Sequence, residues 1–132
     1  HTTEAQEVSE DDFFKKGSSG GTHISSGLKM ASDIVSERFS PSSWNIYTFH
    51  CSDGENWSED NKKAVNYMEE LINLSQLAGY IQIKGENTNM WGEEMAKIFE
   101  PLVNETFKVL KIKNKKDVWP QFAKLFGGKY EI

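Results

Sequence analysis

Apolar residues recur at helical spacing from Ile24 through Leu28, Ala31, Ile34 and Val35, with Lys29, Asp33 and Glu37 on the opposite side. This pattern predicts an amphipathic helix. Thr22 or Ser25 can cap it, and Ser40-Pro41 ends it, because proline disfavours helical angles in the residue before it. The pattern then changes. From Trp44 to Phe49, aromatic and β-branched residues put bulk on both faces, as a central strand of a helix-covered parallel sheet requires, and Ser52-Asp53-Gly54 stops that strand. Ser58-Glu59-Asp60 begins a second helix, with acidic residues in its positive first turn and Ala64, Val65, Met68, Leu71, Ile72 and Ser75 on its inner face. Gly79 releases a strand of Tyr80, Ile81, Gln82 and Ile83. Gly85-Glu86-Asn87-Thr88 makes a polar turn, and Trp91, Met95, Ile98, Phe99 and Leu102 trace a third helix limited by Pro101. Thr106 to Ile112 read as another strand. A final helix has Asp117 as its cap, Pro120 in its first turn, and Val118, Phe122, Leu125 and Phe126 inward, with Gly127-Gly128 as a left-handed stop.

Helices and strands therefore alternate, which implies parallel strands, right-handed crossovers and helices on both faces. The expected fold is α/β: a three-layer, mostly parallel, Rossmann-like doubly wound sheet in one domain spanning residues 1–132. His1 to Val8 suits an exposed strand or arm, and Asp11, Asp12, Phe13 and Phe14 lead into a loop of glycines and hydroxyls up to Thr22. Residues 1–21 are thus an exposed arm and a Gly/Ser loop. Three strands make a narrow sheet, and the strand starting at Trp44 lacks a neighbour. The N-terminal arm, a second copy of the chain, or the rest of a longer protein could supply it. An edge left open in this way predicts pairing into a homodimer.

A length of 132 residues is enough for one domain to bury roughly two thirds of the surface its unfolded chain exposes. The net charge of -5 excludes a duplex-binding surface, which needs a basic excess to displace counterions from phosphates. Lys108, Lys111, Lys113, Lys115 and Lys116 read as a solvated edge. Cys51, the single cysteine, cannot form an internal disulfide and reads as a small core residue at the end of a buried strand. No apolar run approaches the ~20 residues of a membrane span, and no signal peptide is recognised, so the expected compartment is the cytoplasm.

Candidate chemistry lies where ligands of open α/β sheets collect, outside the carboxyl ends of the strands, which points first to Asp53. The glycine loop is either a surface linker or a loop whose hydroxyls and amides face an ion or phosphate; without a Gly-Lys-Ser/Thr ending it is not a P-loop. Asp53, Glu55 and Asp60, with His50 or His23 as acid or base, could instead serve a magnesium-dependent hydrolase. In a purely structural alternative, Trp44, Trp57, Trp91 and Trp119 belong to cores or a subunit interface, although Trp57, after the polar turn, could flank a docking surface.

Gly20-Gly21-Thr22, the helix end Glu37-Arg38-Phe39, Trp44-Asn45-Ile46-Tyr47, the run from Ser52 to Trp57, and Asp60 resemble the YeaH/YhbH family of bacterial proteins. His1-Thr2-Thr3-Glu4-Ala5 and Asp12-Phe13-Phe14 resemble it too. The resemblance covers essentially the whole chain and implies an uncharacterised protein linked by name to sporulation and stress. It further implies the C-terminal part of a von Willebrand factor A-like domain. Such domains hold magnesium in a metal-ion-dependent adhesion site built from Asp-x-Ser-x-Ser, a threonine and an aspartate on separate loops. The threonine carries over to Thr22 and the aspartate to Asp53, with Ser18 or Ser19 reaching the metal through water; no Asp-x-Ser-x-Ser occurs in this chain. Hydroxyls and carboxylates suit magnesium, which prefers hard oxygen ligands and retains waters that a partner's carboxylate can displace. The implied function is protein binding, with Glu55, Asn56 and Trp57 facing the partner, and the implied partner is a PrkA-type serine protein kinase.

Overall fold

The computed structural model describes residues 4–15, 23–84 and 94–127. Its elements follow in the order α1 (Glu10–Lys15), α2 (Ile24–Arg38), β1 (Tyr47–Ser52), α3 (Asn61–Leu74), β2 (Leu77–Ile83), α4 (Met95–Phe99), β3 (Phe107–Ile112) and α5 (Val118–Leu125), with short 3₁₀ turns before α3, after α4 and before α5. The three strands form one all-parallel sheet in the order β1-β2-β3. The expected α/β alternation is therefore present.

Strand alternation divides the interior into two cores. Ala78 and Tyr80 of β2 and Phe107 and Val109 of β3 meet Ala64, Met68 and Leu71 of α3 and Met95 and Phe99 of α4, and Ile24 and Leu28 of α2 join the same cluster. On the other face Leu77, Ile81, Leu110 and Ile112 pack with Leu125 of α5. This second core is small because α5 is its only helix among the described residues.

Several sequence expectations are corrected. The strand beginning at Trp44 starts three residues later, since Trp44 closes the turn that follows Pro41 and packs its ring against Phe39 at 5.2 Å. β1 is also not central: among the described residues it pairs with β2 alone, and β2 holds the middle position. Bulk on both faces was a misleading sign, because Tyr47 and Phe49 are 57% and 41% exposed. Nor does the described part of the N-terminal arm extend the sheet, since residues 4–9 form no strand. Glu7 instead forms an ion pair with Arg38 at the end of α2.

Gly79 lies inside β2 rather than before it. A Cβ there would sit 2.7 Å from Leu125 Cδ1, so the missing side chain lets α5 approach the strand. Cys51, expected as a small core residue, is exposed. Ser75 follows α3 as its C-cap, and Val118 and Phe126 of the last helix face outward while Leu125 is fully buried. Asp117 precedes α5 without a side-chain cap to it. Its carboxylate instead accepts from the Lys113 and Asn114 amides. Gly127 does supply the left-handed stop, at φ 74°. Helix α1 was not foreseen; Ser9 Oγ accepts from the Asp12 amide at its start, and none of its side chains is buried. The expected Gly85 to Thr88 turn, Trp91 and Gly128 lie outside the described residues.

The small second core makes a sharp prediction. Leu125→Ala is expected to lower unfolding free energy by about 2–5 kcal/mol and Gly79→Val, which drives a side chain into Leu125, by about 1–3 kcal/mol. Val118→Ala, at an outward position of α5, is expected to change it by less than about 0.5 kcal/mol in the same urea titration.

Candidate functional site

The loop from Asp53 to Asp60 joins the C-terminal end of β1 to α3 and is held from both sides. Helix α2 begins at Ile24 after His23, whose side chain makes no cap. Ser25 does not serve as the expected cap, since it is already inside the helix, and Thr22, the other expected cap, lies outside the described residues. The first amides of α2 are served from a distance. Ile24 N donates to Asn56 Oδ1 at 2.9 Å and Ser25 N to Asp60 Oδ2 at 3.0 Å, while Ser25 Oγ donates to Asp60 Oδ1. Asn56 Nδ2 completes the clamp by donating to Asp60 Oδ2 and Asn61 Oδ1.

Asp60 is 5% exposed. Burial alone would push its carboxyl up, but the donors from Ser25 and Asn56 prevail and hold it below the usual carboxylate range. A carboxylate at the amino end of a helix is further favoured by the helix dipole.

On its other side the loop is held by β2. Gly54 takes φ 92°, and a Cβ there would collide with the Gln82 side chain. Gln82 Oε1 accepts from Ala96 N, and Gly54 O accepts from Met95 N, so the turn after β1 and the start of α4 share one buried amide. Ser52 Oγ lies 2.6 Å from Tyr80 Oη and accepts from Gly54 N. Burial drives the Tyr80 phenol up to about 12, which keeps it protonated.

Asp53 projects from this pinned turn and is exposed, with Oδ1 accepting from the Glu55 amide in an Asx turn. Glu55 is engaged by Lys84 at 3.1 Å, and Lys84 is largely buried. Asn56 is half-buried and engaged in the clamp. Trp57 is 52% exposed and meets the His23 ring edge-on at 6.2 Å. Ser18, Ser19 and Thr22 lie outside the described residues. Asp53, Glu55 and Asp60 thus occupy three different environments. Among the described residues no group of three or more His, Cys, Asp or Glu side chains is placed to hold a metal.

Sequence reasoning missed Ser25, Gln82, Tyr80 and Lys84. The signal for Gln82 was a polar residue inside an otherwise apolar strand; for Ser25 and Asp60 none existed, because their partnership spans 35 residues. Nearby, His50 lies opposite Tyr80 in register, ring to ring at 5.5 Å, and burial lowers it to about 4.

Two predictions follow from this geometry. Asp60→Ala strands the Ser25 donors and is expected to lower unfolding free energy by on the order of 3 kcal/mol and speed exchange of the Ile24 and Ser25 amides; a loss below about 0.5 kcal/mol refutes the clamp. The second concerns pH. The unfolded imidazole binds its proton near pH 6.5 and the folded one near 4, so the stability His50 contributes is complete above about 6.5 and is lost as pH falls through about 4. Thermal denaturation is expected to register on the order of 3 kcal/mol over that window. His50→Phe is expected to flatten the upper part of that window, while Asp60 and Glu94, both held below their ordinary values, add losses only as pH falls into the ordinary carboxylate range at its acid end.

Residues 1–129 match the family described as protein of unknown function (DUF444). The UPF0229 protein of Ruminiclostridium cellulolyticum is 46% identical over 95% of this chain and 31% of its own length. A UPF0229 protein of Clostridium perfringens strain 13 is 44% identical over 90% of this chain and 30% of its own. One from Bacillus cereus strain G9842 is 36% identical over 96% and 32%. The chain therefore spans about a third of the length of these relatives. No solved structure matches it.

Proposed function

Because this chain belongs to the DUF444 family, in which it corresponds to about a third of longer relatives, we propose that it is a protein-interaction module of a von Willebrand factor A-like fold, carrying part of a magnesium-dependent adhesion-type site. The observation that carries this reading is the setting of Asp53. An exposed carboxylate stands at the C-terminal end of a parallel strand, on a turn fixed by Gly54, Gln82, Asn56 and Asp60. A rigid, solvent-facing oxygen donor of this kind suits a hard cation that keeps several waters. Asp53 would hold magnesium, joined by Thr22 and, through water, Ser18 or Ser19, with the remaining ligands coming from the rest of the family's chain. The cation would supply a Lewis-acidic contact for a partner's carboxylate.

The clamp supports Thr22 as the second ligand. Ile24, two positions beyond it, is hydrogen-bonded to Asn56, three positions beyond Asp53. Trp57, half-exposed beside the loop, gives a partner an aromatic contact. The partner that fits the family resemblance is a PrkA-type serine protein kinase in the cytoplasm of a bacterium with sporulation or stress functions. Among the described residues no helix is long and apolar enough to cross a membrane.

The test is calorimetric titration of magnesium and manganese chloride into this chain and into the chain joined to the remaining two thirds of the Ruminiclostridium relative. Binding is expected in the joined protein alone, and Asp53→Ala is expected to abolish it. Heat that is absent from both proteins, or untouched by the substitution, removes the cation site.

A further inference from the structure

The two edges of the sheet differ in character. β3 carries Lys108 and Lys111 among its six residues, with the Lys108 ammonium donating to Lys124 O and Lys111 paired to Glu94. Lysines of this sort mark an edge that natural sheets leave exposed. β1 reads Tyr-Thr-Phe-His-Cys-Ser, with no charge and no proline along its length. An uncharged, regular edge strand is a template for another strand.

The sheet face next to that edge is also unfinished. Thr48, His50 and Ser52 of β1 turn toward Ser75 and Tyr80, on the side of the larger core. Tyr47, Phe49 and Cys51 alternate with them and so face the side of α5. Helix α5 reaches only the middle of the sheet on this side: Leu125 covers Gly79, and Phe126, itself 62% exposed, touches Phe49 at 6.0 Å. Beyond it Tyr47, Phe49 and Cys51 remain exposed. A bare backbone edge and a bare apolar half-face thus meet at one strand.

We propose that this corner receives a parallel strand and its connecting helix from the part of the family's chain outside the matched region, the strand pairing with β1 and the helix covering Tyr47, Phe49 and Cys51. Three observations choose this occupant. About two thirds of each relative's length lies outside the match, ample for further βα units. Every strand pair present is parallel, and in such sheets each added strand brings a helix onto a face, so one unit satisfies both deficits. A second copy does not. Two-fold pairing of β1 edges about an axis perpendicular to the sheet would set the strands antiparallel and leave the two bare half-faces side by side, still uncovered. The inference stands independently of the cation site, since it concerns backbone and apolar surface alone.

Cys51, the chain's single cysteine, lies within the proposed contact and is a built-in reporter. The rate at which a disulfide reagent such as dithionitrobenzoate labels it is compared in this chain alone and in the chain joined to the remainder of the Ruminiclostridium relative, whose own cysteines are replaced by serine. Amide exchange is followed on both. Labelling is expected to slow at least about tenfold in the joined protein, with β1 amides gaining protection and β2 amides protected in both. Phe49→Asp is expected to restore labelling in the joined protein without unprotecting β2. Equal labelling rates with β2 protected overturn the proposal. Protection that appears in the chain alone as its concentration rises, with a doubling of mass by light scattering, overturns it in favour of a second copy.

Discussion

The carboxylate of Asp60 is the constraint on which the arrangement around the sheet's C-terminal end depends. A helix leaves its first amides without intrahelical acceptors, and the side chain of His23, which precedes α2, does not serve them. Asn56 and Asp60 do so from the loop after β1. That choice joins segments more than thirty residues apart. It also reaches the start of α3, because Asn56, which donates to Asp60, donates to Asn61 Oδ1 as well. Burying a charge is costly unless donors converge on it, and here three donors do. The clamp is therefore an all-or-none arrangement: α2, the loop and α3 are positioned together.

The opposite side of the loop follows the same logic with neutral groups. Gln82 interrupts the apolar run of β2 and is almost fully buried, which only a satisfied amide can tolerate. Its oxygen serves the first turn of α4, and its bulk occupies the place where Gly54 has no side chain. Asp53 stands between these two anchors. Its neighbours Asn56 and Gly54 are tied to the starts of α2 and α4, while its own side chain is exposed. A donor prepared in this way loses little conformational freedom on meeting a ligand.

Much of this fold was legible in the sequence, and what was legible was local. Helical spacing at Ile24, Leu28 and Val35, and again at Ala64, Met68, Leu71 and Ile72, reports burial directly, because the residues that cover a neighbour must recur on one face. The alternation of elements led equally directly to a parallel sheet. Position within that sheet was not legible. Bulk on both faces of β1 suggests a central strand, but among the described residues β1 is an edge strand on which Tyr47 and Phe49 lie open. Gly79 was read as a boundary because isolated glycine usually punctuates; its real role is to admit Leu125, a contact 46 positions away. Of the candidate site, the position of Asp53 just past the end of a strand was legible, because Ser-Asp-Gly is a local turn signal. Asp60 does stand at the start of α3, as its sequence position suggests, but its service to the α2 amides together with Asn56 was not legible, since a helix cap supplied from another loop has no sequence spacing to betray it.

The mismatch at β1 is itself informative when set beside the cap. Asp60 and Gln82 show a chain that satisfies its buried polar groups with few loose ends, at a cost in freedom that only a well-determined structure bears. The same chain leaves an uncharged strand edge and two aromatic side chains facing water. Sequences that protect one edge with lysines, as β3 does, show that exposure alone is not what β1 was shaped for. The careful interior and the unprotected edge fit together if the sheet continues past β1. On that footing the aromatic face of β1 is interior surface, and Asp53 lies near the middle of a wider sheet, where open parallel sheets place their ligands.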